Sequence, residues 1–271
     1  MRRASSVSTL DYSDRFLGGR GIAAKIYWDE VPPEARAFDS ENRLVFITGP
    51  LCGVPAIGGS RWEVCGKGPT TSPRFSYGNL GGRWGAALKF AGYDGIIVQG
   101  QSEKPVYLFI HDDTVEFRDA SGLWGKGAIE ARETLKRELG SSVKVVSIGP
   151  AAENMAVMAT LLADNDASGS GGLGAVMGSK NLKAIVVKAG KEGVKVAQPE
   201  RLQELIAHYR ELRRCFPTDG WEYLSRWSRD PTSEPRLMPG PEMKKEPCYG
   251  CLGRCARKVY VSSDGKKGKF I

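Results

Sequence analysis

The chain has 271 residues, of which 41% are hydrophobic and 26% charged, and its formal net charge is +8. This composition predicts a soluble globular protein with a sizeable core. No apolar run approaches the roughly 18 residues that a membrane span requires. The basic residues do not form a patch interleaved with aromatic residues, so neither a membrane nor a nucleic acid is expected as a partner.

Hydrophobic periodicity predicts alternating helices and strands in the first two thirds of the chain. "FLGGRGIAAKIYWDEV" (16–31) has helical spacing and stops at Pro32, and "GAIEARETLKRELG" (127–140) is an amphipathic helix closed by a glycine. In chain order, the predicted elements are a helix over 16–31, strands over 43–49 and 61–68, a helix over 81–94, strands over 95–100, 105–113 and 115–120 with a hairpin turn at Asp112-Asp113, a helix over 127–140, strands over 143–149 and 154–162, a glycine-rich turn with a short helix over 168–181, a strand over 182–190 and a helix over 199–216.

The pattern changes after Gly190, where a polar linker leads into a segment with helical periodicity and no further strand signal. We therefore predict two domains, an N-terminal one over 1–192 and the start of a helical one over 196–271. The fold class is α+β.

Glycine and cysteine are the unusual residue types. The chain has 34 glycines, and the excess over the usual share lies in clusters at 18–21, 58–59, 81–85 and 169–178, where glycine allows a sharp turn or a close approach of the backbone to a ligand. The first residues lack the apolar run of a secretory signal, so we expect a cytoplasmic protein whose clustered cysteines bind metal rather than form disulfides. Cys52 and Cys65 lie in apolar, strand-like segments and are predicted to be buried and unreactive.

"PCYGCLGRC" (247–255) places Cys248, Cys251 and Cys255 at the spacing C-x2-C-x3-C. Zinc would require a fourth Cys or His ligand, and none is close in sequence. An iron–sulfur cluster accepts a distant fourth cysteine. The spacing therefore favours iron–sulfur over zinc, and a segment without metal is the remaining alternative.

Several segments, in order over residues 16–255, resemble the N-terminal part of the aldehyde ferredoxin oxidoreductase family of tungsten or molybdenum pyranopterin enzymes. The most specific segments are "LKFAGYD" and "GAVMGSKNLKAI". The others are "FLGGRG", "LVFITGPLCG", "GGSRWEV", "GNLGG", "KPVYLFI", "DASGLWGKG", "SIGPAAEN" and "PCYGCLGRC".

This resemblance implies a two-sheet N-terminal domain that carries a tungsten or molybdenum bis-pyranopterin, with Mg²⁺ bridging the pterin phosphates, and a helical part that holds a [4Fe-4S] cluster. The residues that match the family's cofactor contacts are Arg61, Asn79, Gly81, Gly82, Asp166, Ala167, Gly169 and Ser170. The residues that match the first three cluster ligands are Cys248, Cys251 and Cys255.

Simpler interpretations of these residues stay open. Arg61 can be an ordinary surface cation, Asn79 a helix cap, and the glycines at 81–85 a means of packing a helix on a strand.

The second glycine-rich loop departs from the family pattern. Many members have arginines where this chain has Asp166 and Ser170. An aspartate beside a phosphate is repelled unless Mg²⁺ or a lysine such as Lys180 intervenes.

The resemblance implies that the chain is the N-terminal portion of an enzyme that oxidises aldehydes to carboxylic acids. Electrons would pass through the cluster to ferredoxin or another electron-transfer protein, and the 271-residue chain by itself is expected to be inactive. Two alternatives are a related reductase of an aromatic thioester or carboxylate, and a non-catalytic electron-carrier or cofactor-binding fragment. No catalytic residue is predicted, and self-association into a homo-oligomer is left open.

Overall fold

The computed structural model describes residues 3–70, 74–111, 114–164, 167–190, 193–215, 242–245, 247–251, 256–261 and 267–270. The chain divides into two compact units. The first is Met1–Val54 with Gly59–Val194, and the second is Pro55–Gly58 with Lys195–Ile271.

The first unit alternates short helices with strands, as the hydrophobic periodicity predicts. Its helices are α1 (Leu10–Phe16), α2 (Arg20–Glu30), α3 (Trp84–Phe90), α4 (Ala128–Leu139), α5 (Pro150–Glu153) and α6 (Leu173–Ser179). Its strands are β1 (Leu44–Thr48), β2 (Trp62–Lys67), β3 (Phe75–Leu80), β4 (Gly95–Val98), β5 (Val106–His111), β6 (Thr114–Asp119), β7 (Lys144–Ser147), β8 (Leu161–Ala163), β9 (Ser168–Gly169) and β10 (Leu182–Lys188).

The first sheet is antiparallel, with the strand order β3-β2-β1-β4. Its register pairs Thr48 with Trp62 and Trp62 with Leu80. The end of β1, the start of β2 and the end of β3 therefore lie at one end of the sheet. Because side chains alternate along a strand, Trp62 and Leu80 point to one face, while Glu63 and its register partner Asn79 point to the other.

The second sheet has the order β6-β5-β10-β7-β8-β9. β5 and β10 are parallel, and the other neighbouring strands are antiparallel. β5 and β6 pair from His111 and Thr114 onwards, as expected for the predicted hairpin. Its predicted turn residues, Asp112 and Asp113, lie outside the described residues.

Three apolar clusters hold these layers together. The largest joins one face of each sheet to α3 and α6, and includes Phe46, Trp62 and Trp84, whose rings are in contact. A second cluster packs α4, through Leu135, on the other face of the second sheet. A third packs α2, through Ile26 and its neighbours, on the other face of the first sheet. Each sheet is thus covered on both faces, which confirms the α+β class and the two-sheet N-terminal domain.

Two predictions for the first unit were wrong. β3 was not predicted, because its inward positions are occupied by Ser76 and Gly78 and give no apolar alternation. The predicted strand over 154–162 is reduced to β8, since Met155 has a φ of 54° and Met158 is 80% exposed. The structure also contains two helices that were not predicted. α1 precedes the first predicted element, and α5 lies between the predicted strands over 143–149 and 154–162.

The second unit contains the predicted helix, α7 (Pro199–Cys215). It also contains an antiparallel sheet that the sequence analysis did not predict, with the order β11-β12-β13. These strands are β11 (Glu242–Lys245), β12 (Ala256–Val261) and β13 (Lys267–Phe270). None of the helices in the described part of the chain has the length and apolar character to cross a membrane.

Candidate functional site

The turns at one end of the first sheet form the candidate site, and we call this region the glycine end. It consists of the turn after β1, Arg61 directly before β2, Asn79 with the turn after β3, and the glycine-rich loop over 164–172. The backbone N–H of Gly49 donates to the carbonyl of Arg61 at 3.4 Å, and the indole Nε1 of Trp62 donates to the carbonyl of Gly81 at 2.9 Å. The buried Trp62 therefore holds the turn after β3 in place, and we call this turn the first glycine turn.

The second glycine-rich loop, residues 164–172, packs directly against this first turn. A Cβ added at Gly78 would lie 2.8 Å from the backbone nitrogen of Ser170. A Cβ added at Gly82, which has a φ of 77°, would lie 2.4 Å from the carbonyl oxygen of Asp164. Only glycine at these two positions allows the loops to approach so closely. The structure thus brings together the two segments that the sequence analysis proposed as one binding site.

Asp164 anchors the second loop from beneath. Its carboxylate is 4% exposed and accepts hydrogen bonds from Lys136 Nζ and from the backbone N–H of Val145. One turn earlier on α4, Arg132 Nη1 donates to the carbonyl of Ala163 at 3.1 Å. The N–H of Ala163 then donates to the carbonyl of Ala167 at 2.8 Å, which closes the loop. Two cations of α4 therefore set the position of the loop.

The predicted side chains at the glycine end are open to solvent. Arg61, Asn79 and Ser170 are exposed, and Ala167 is half-buried. Arg61 forms no ion pair with another residue that the structure describes. An exposed arginine and two exposed uncharged donors can contact a ligand here.

The predicted glycines at this end, by contrast, are buried. Gly81, Gly82 and Gly169 contribute backbone alone. Gly82 is needed for loop packing, and a Cβ at Gly169 would lie 3.0 Å from the side chain of Val64. A Cβ added at Gly85 would lie 2.6 Å from the Trp62 ring, so this glycine also allows close packing. The packing interpretation of these glycines therefore accounts for their conformation without a ligand.

The sequence analysis missed two further cations near this end, Arg20 and Arg83. Arg83 follows the first turn directly and is exposed. Arg20 begins α2 and lies over the ring of Tyr77, two residues before Asn79. Both arginines follow a glycine pair, Arg20 in "GGRG" and Arg83 in "GGRW", and that context could have indicated them.

The remaining residues of the predicted loop have different outcomes. Asp166 lies outside the described residues. Lys180, considered above as a counter-charge for this loop, donates instead to the carbonyl of Gly100 at 3.2 Å, beyond the opposite end of β4. Lys180 is therefore not available at the glycine end.

The cysteine segment belongs to the second unit. Cys248 and Cys251 are half-buried, and the N–H of Cys251 donates to the carbonyl of Cys248 at 3.1 Å across a tight turn. Gly250 has a φ of 63°, the left-handed conformation that this turn needs. Cys255 lies outside the described residues. Among the residues that the structure describes, no three Cys, His, Asp or Glu side chains are grouped as metal ligands.

Cys52 and Cys65 are buried, as predicted. Burial raises the pKa of the Cys52 thiol to about 12 and also raises the pKa of the Cys65 thiol. Both thiols stay protonated at neutral pH, and this state makes them poor nucleophiles and poor metal ligands.

Residues 2–189 match the family model of the aldehyde ferredoxin oxidoreductase N-terminal domain, so the match includes both loops of the glycine end. The chain belongs to the aldehyde ferredoxin oxidoreductase family. It is 37% identical to a tungsten-containing aldehyde ferredoxin oxidoreductase of Pyrococcus abyssi, over 94% of this chain and 46% of the relative. It is 44% identical to the enzyme of that name from Pyrococcus furiosus, over 78% of this chain and 35% of the relative.

One solved structure is similar to this chain over nearly its whole length. The chain aligns with a chain of the BamBC active-site complex of benzoyl-coenzyme A reductase, solved with 1,5-dienoyl-CoA. The TM-score is 0.82 and the identity 32%, over 98% of this chain and 46% of that chain. The chain therefore spans about half the length of the Pyrococcus abyssi relative and of this solved chain.

For a member of this family, the donors at the glycine end fit an anionic cofactor. The exposed guanidinium groups of Arg61 and Arg83 suit phosphate oxygens, and the amide of Asn79 and hydroxyl of Ser170 suit neutral polar atoms. The fit rests on the chemistry of these donors, since the buried glycines are already explained by packing.

Proposed function

We propose that the chain is the N-terminal, cofactor-binding part of a tungsten-pterin oxidoreductase that converts aldehydes to carboxylic acids. The match of residues 2–189 to the family's N-terminal domain carries this proposal. The names of the relatives, which are tungsten-containing aldehyde ferredoxin oxidoreductases, supply the metal and the substrate class. The reaction takes an aldehyde and water to a carboxylic acid, two protons and two electrons.

The residues of the glycine end would hold a bis-pyranopterin of tungsten or molybdenum. When bound, this group would supply the redox chemistry at the aldehyde carbon. Arg61 and Arg83 would neutralise phosphate oxygens, with Mg²⁺ between the phosphates, and Asn79 and Ser170 would donate or accept hydrogen bonds at neutral atoms of the ligand. Gly81, Gly82, Ala167 and Gly169 would let the two loops close on each other beneath it.

The second part of the chain, proposed as the domain over 196–271 after a first domain over 1–192, would contribute to a [4Fe-4S] cluster. Cys248 and Cys251 lie at the two ends of a tight turn, as two ligands of one cluster require, and Cys255 would be the third ligand. The cluster would pass electrons singly to ferredoxin in the cytoplasm. Because the chain covers about half of its relatives, we expect no aldehyde oxidation by the 271-residue chain alone.

One observation favours a second candidate function. The structural similarity to a benzoyl-coenzyme A reductase complex extends over 98% of the chain, so the same scaffold also occurs in a protein that acts on an aromatic thioester. The cofactor would be held in the same way, and the electrons would flow towards the substrate.

Metal and pterin analysis tests the proposal. The 271-residue chain would be purified without oxygen from cells supplied with tungstate and molybdate, and tungsten, molybdenum, iron, sulfide and pterin would be measured per polypeptide. We expect tungsten or molybdenum together with pterin, and iron together with sulfide. Iron and sulfide alone would indicate an electron carrier, and the absence of all of these components would contradict the proposal.

A further inference from the structure

Arg20, Glu63 and Tyr77 form a cluster on the outward face of the first sheet, next to the glycine end. We call it the Arg20 cluster. Its position follows from the register, because Glu63 is the partner of Asn79 and Tyr77 lies two residues before Asn79 on the same face. We propose that Arg20 is a further ligand-binding residue, which binds a phosphate group of the anionic ligand held at the glycine end. This inference rests on the proposed function for the nature of the ligand.

The guanidinium group of Arg20 is held in one orientation by two different contacts. Nε donates to both carboxylate oxygens of Glu63, at 2.9 and 3.2 Å, and Nη2 donates to Glu63 Oε1 at 2.8 Å. The group also lies over the Tyr77 ring, 3.8 Å from its centroid. A carboxylate along one side and a ring against one face leave an arginine little rotational freedom, so binding an anion costs little further ordering.

The other side of the guanidinium group is open. Nη1 forms no hydrogen bond to a residue that the structure describes, and the Arg20 side chain is 44% exposed, compared with 12% for Glu63. Tyr77 is 45% exposed, and Asn79 is also exposed. The cluster therefore presents an N–H edge of the arginine and a tyrosine side chain to solvent, while the carboxylate lies largely underneath.

The charges around the cluster favour an anion. Glu63 balances the charge of Arg20, and Arg61, which directly precedes β2, adds an exposed positive charge without a described ion-pair partner. A phosphate group between Arg20 and Arg61 would receive hydrogen bonds from two guanidinium groups of different elements. Arginine suits this role because its planar fork matches the geometry of phosphate oxygens.

Anchoring α2 to the sheet does not by itself explain the Arg20 cluster. The helix already packs through Ile22 and Ile26 in the third apolar cluster. At its other end, Arg43 Nε forms an ion pair with Glu30 at 3.1 Å and ties the helix to β1. Arg43 is thus a matched control, because it is also an arginine paired with a glutamate between α2 and the first sheet, but it lies at the opposite end of β1.

Pyrophosphate serves as the probe, titrated into the intact 271-residue chain by isothermal calorimetry at low salt. We expect Arg20→Gln to weaken binding by about tenfold or more, and Arg43→Gln to leave it unchanged. Arg20→Lys keeps the charge and loses the fork, so we expect it to restore only part of the affinity. Glu63→Gln removes the competing negative charge, so we expect it to tighten binding. If Arg20 only anchored the helix, Glu63→Gln would not increase the affinity for pyrophosphate.

Equal pyrophosphate affinity in wild type, Arg20→Gln and Glu63→Gln, or no binding by wild type, would overturn the inference. Thermal unfolding of each variant verifies that it is folded, and if Arg20→Gln does not fold, Arg20→Lys and Glu63→Gln decide the question. The result is separable from the proposed function. Arg20-dependent pyrophosphate binding by a chain that contains no tungsten, molybdenum or pterin would keep this anion site and contradict the cofactor assignment.

Discussion

Lys180 is almost inaccessible to solvent and donates no hydrogen bond to an acidic side chain among the residues that the structure describes. It follows α6, it is 3% exposed, and its ammonium group donates to the carbonyl of Gly100. Burial, with a smaller contribution from the nearby charge of Arg43, lowers the pKa of Lys180 to about 8 from its ordinary value of 10.5. The folded protein therefore releases this proton at a lower pH than the unfolded chain does.

The pKa of Lys180 predicts a particular pH dependence of stability. Between pH 8 and 10.5 the unfolded chain holds the proton and the folded protein does not, so the free energy of unfolding rises with pH in this window. Replacing the lysine in Lys180→Met removes this contribution. We expect the difference in unfolding free energy, wild type minus variant, to increase by up to about 1.4 kcal/mol per pH unit.

Urea unfolding at several pH values from 7 to 10.5 measures this difference for Lys180→Met. Lys188→Met, which removes an exposed lysine of β10, gives the control. A flat difference for Lys180→Met would mean that the lysine is solvated in the folded protein.

Alanine substitutions at Gly82 and Gly92 distinguish the cost of backbone strain from the cost of disturbed loop packing. Both have a left-handed backbone, with φ values of 77° and 88°, but a Cβ at Gly92 would meet nothing within 4 Å. We expect Gly92→Ala to cost about 1 kcal/mol, the cost of the backbone conformation alone. Gly82→Ala should cost about 1–3 kcal/mol more, because its Cβ must displace the carbonyl of Asp164. Chemical unfolding of the two variants tests this. An equal loss of unfolding free energy in both would mean that the second loop moves away from the added Cβ without a measurable penalty.

At the scale of elements, the sequence predicts those helices and strands whose apolar residues follow a regular local spacing. The amphipathic pattern of α4 and the buried run of β1 give both elements with close boundaries, because α4 buries one face and β1 is buried on both faces. β3 is missed, since Ser76 and Gly78 are buried because they are small and not because they are apolar. The segment before β8 is wrongly predicted because its methionines face solvent.

The candidate site was predictable only in part, for a similar reason. The resemblance indicates the two glycine loops, but the contact of Gly82 with Asp164 joins distant positions and depends on the path of both sheets. The support of the second loop by α4 likewise depends on tertiary packing. No local pattern distinguishes Lys136 from a lysine on an exposed helical face.

The ion pair between Lys136 of α4 and Asp164 of the second loop should keep that loop ordered. The side chain of Asp164 is 6% exposed and that of Lys136 is 23% exposed. Removing one partner of a buried pair leaves an unpaired charge, so we expect Asp164→Asn or Lys136→Met to cost about 3 kcal/mol. Hydrogen exchange of the amides at 79–82 and 167–172 should accelerate in both variants, because Asp164 links the two loops.

A more exposed ion pair supplies the comparison for these variants. Glu30, in the pair with Arg43, has a side chain that is 36% exposed, so Glu30→Gln should cost at most about 1 kcal/mol and should leave exchange at both loops unchanged. Faster exchange throughout the first sheet in Asp164→Asn would show a general loss of stability rather than loss of loop positioning.

At the scale of the whole molecule, the two proposed cofactor sites belong to different compact units. Arg61 and the glycine end lie in the first unit, and Cys248 and Cys251 lie in the second. Each unit has its own sheet, so the backbone that would hold the pterin does not include the backbone that would hold the cluster. The two ligands should therefore be separable by mutation.

We expect Arg61→Gln to lower tungsten or molybdenum and pterin together while iron and sulfide stay at the wild-type level. Cys251→Ser should have the reverse effect, because it removes a thiolate from the second unit and leaves every residue of the glycine end in place. Metal and pterin analysis of the two purified variants, beside Arg43→Gln as a control, measures this separation. Loss of all components in both variants, with unchanged thermal unfolding, would mean that the cluster and the pterin are loaded as one coupled assembly rather than by two independent units.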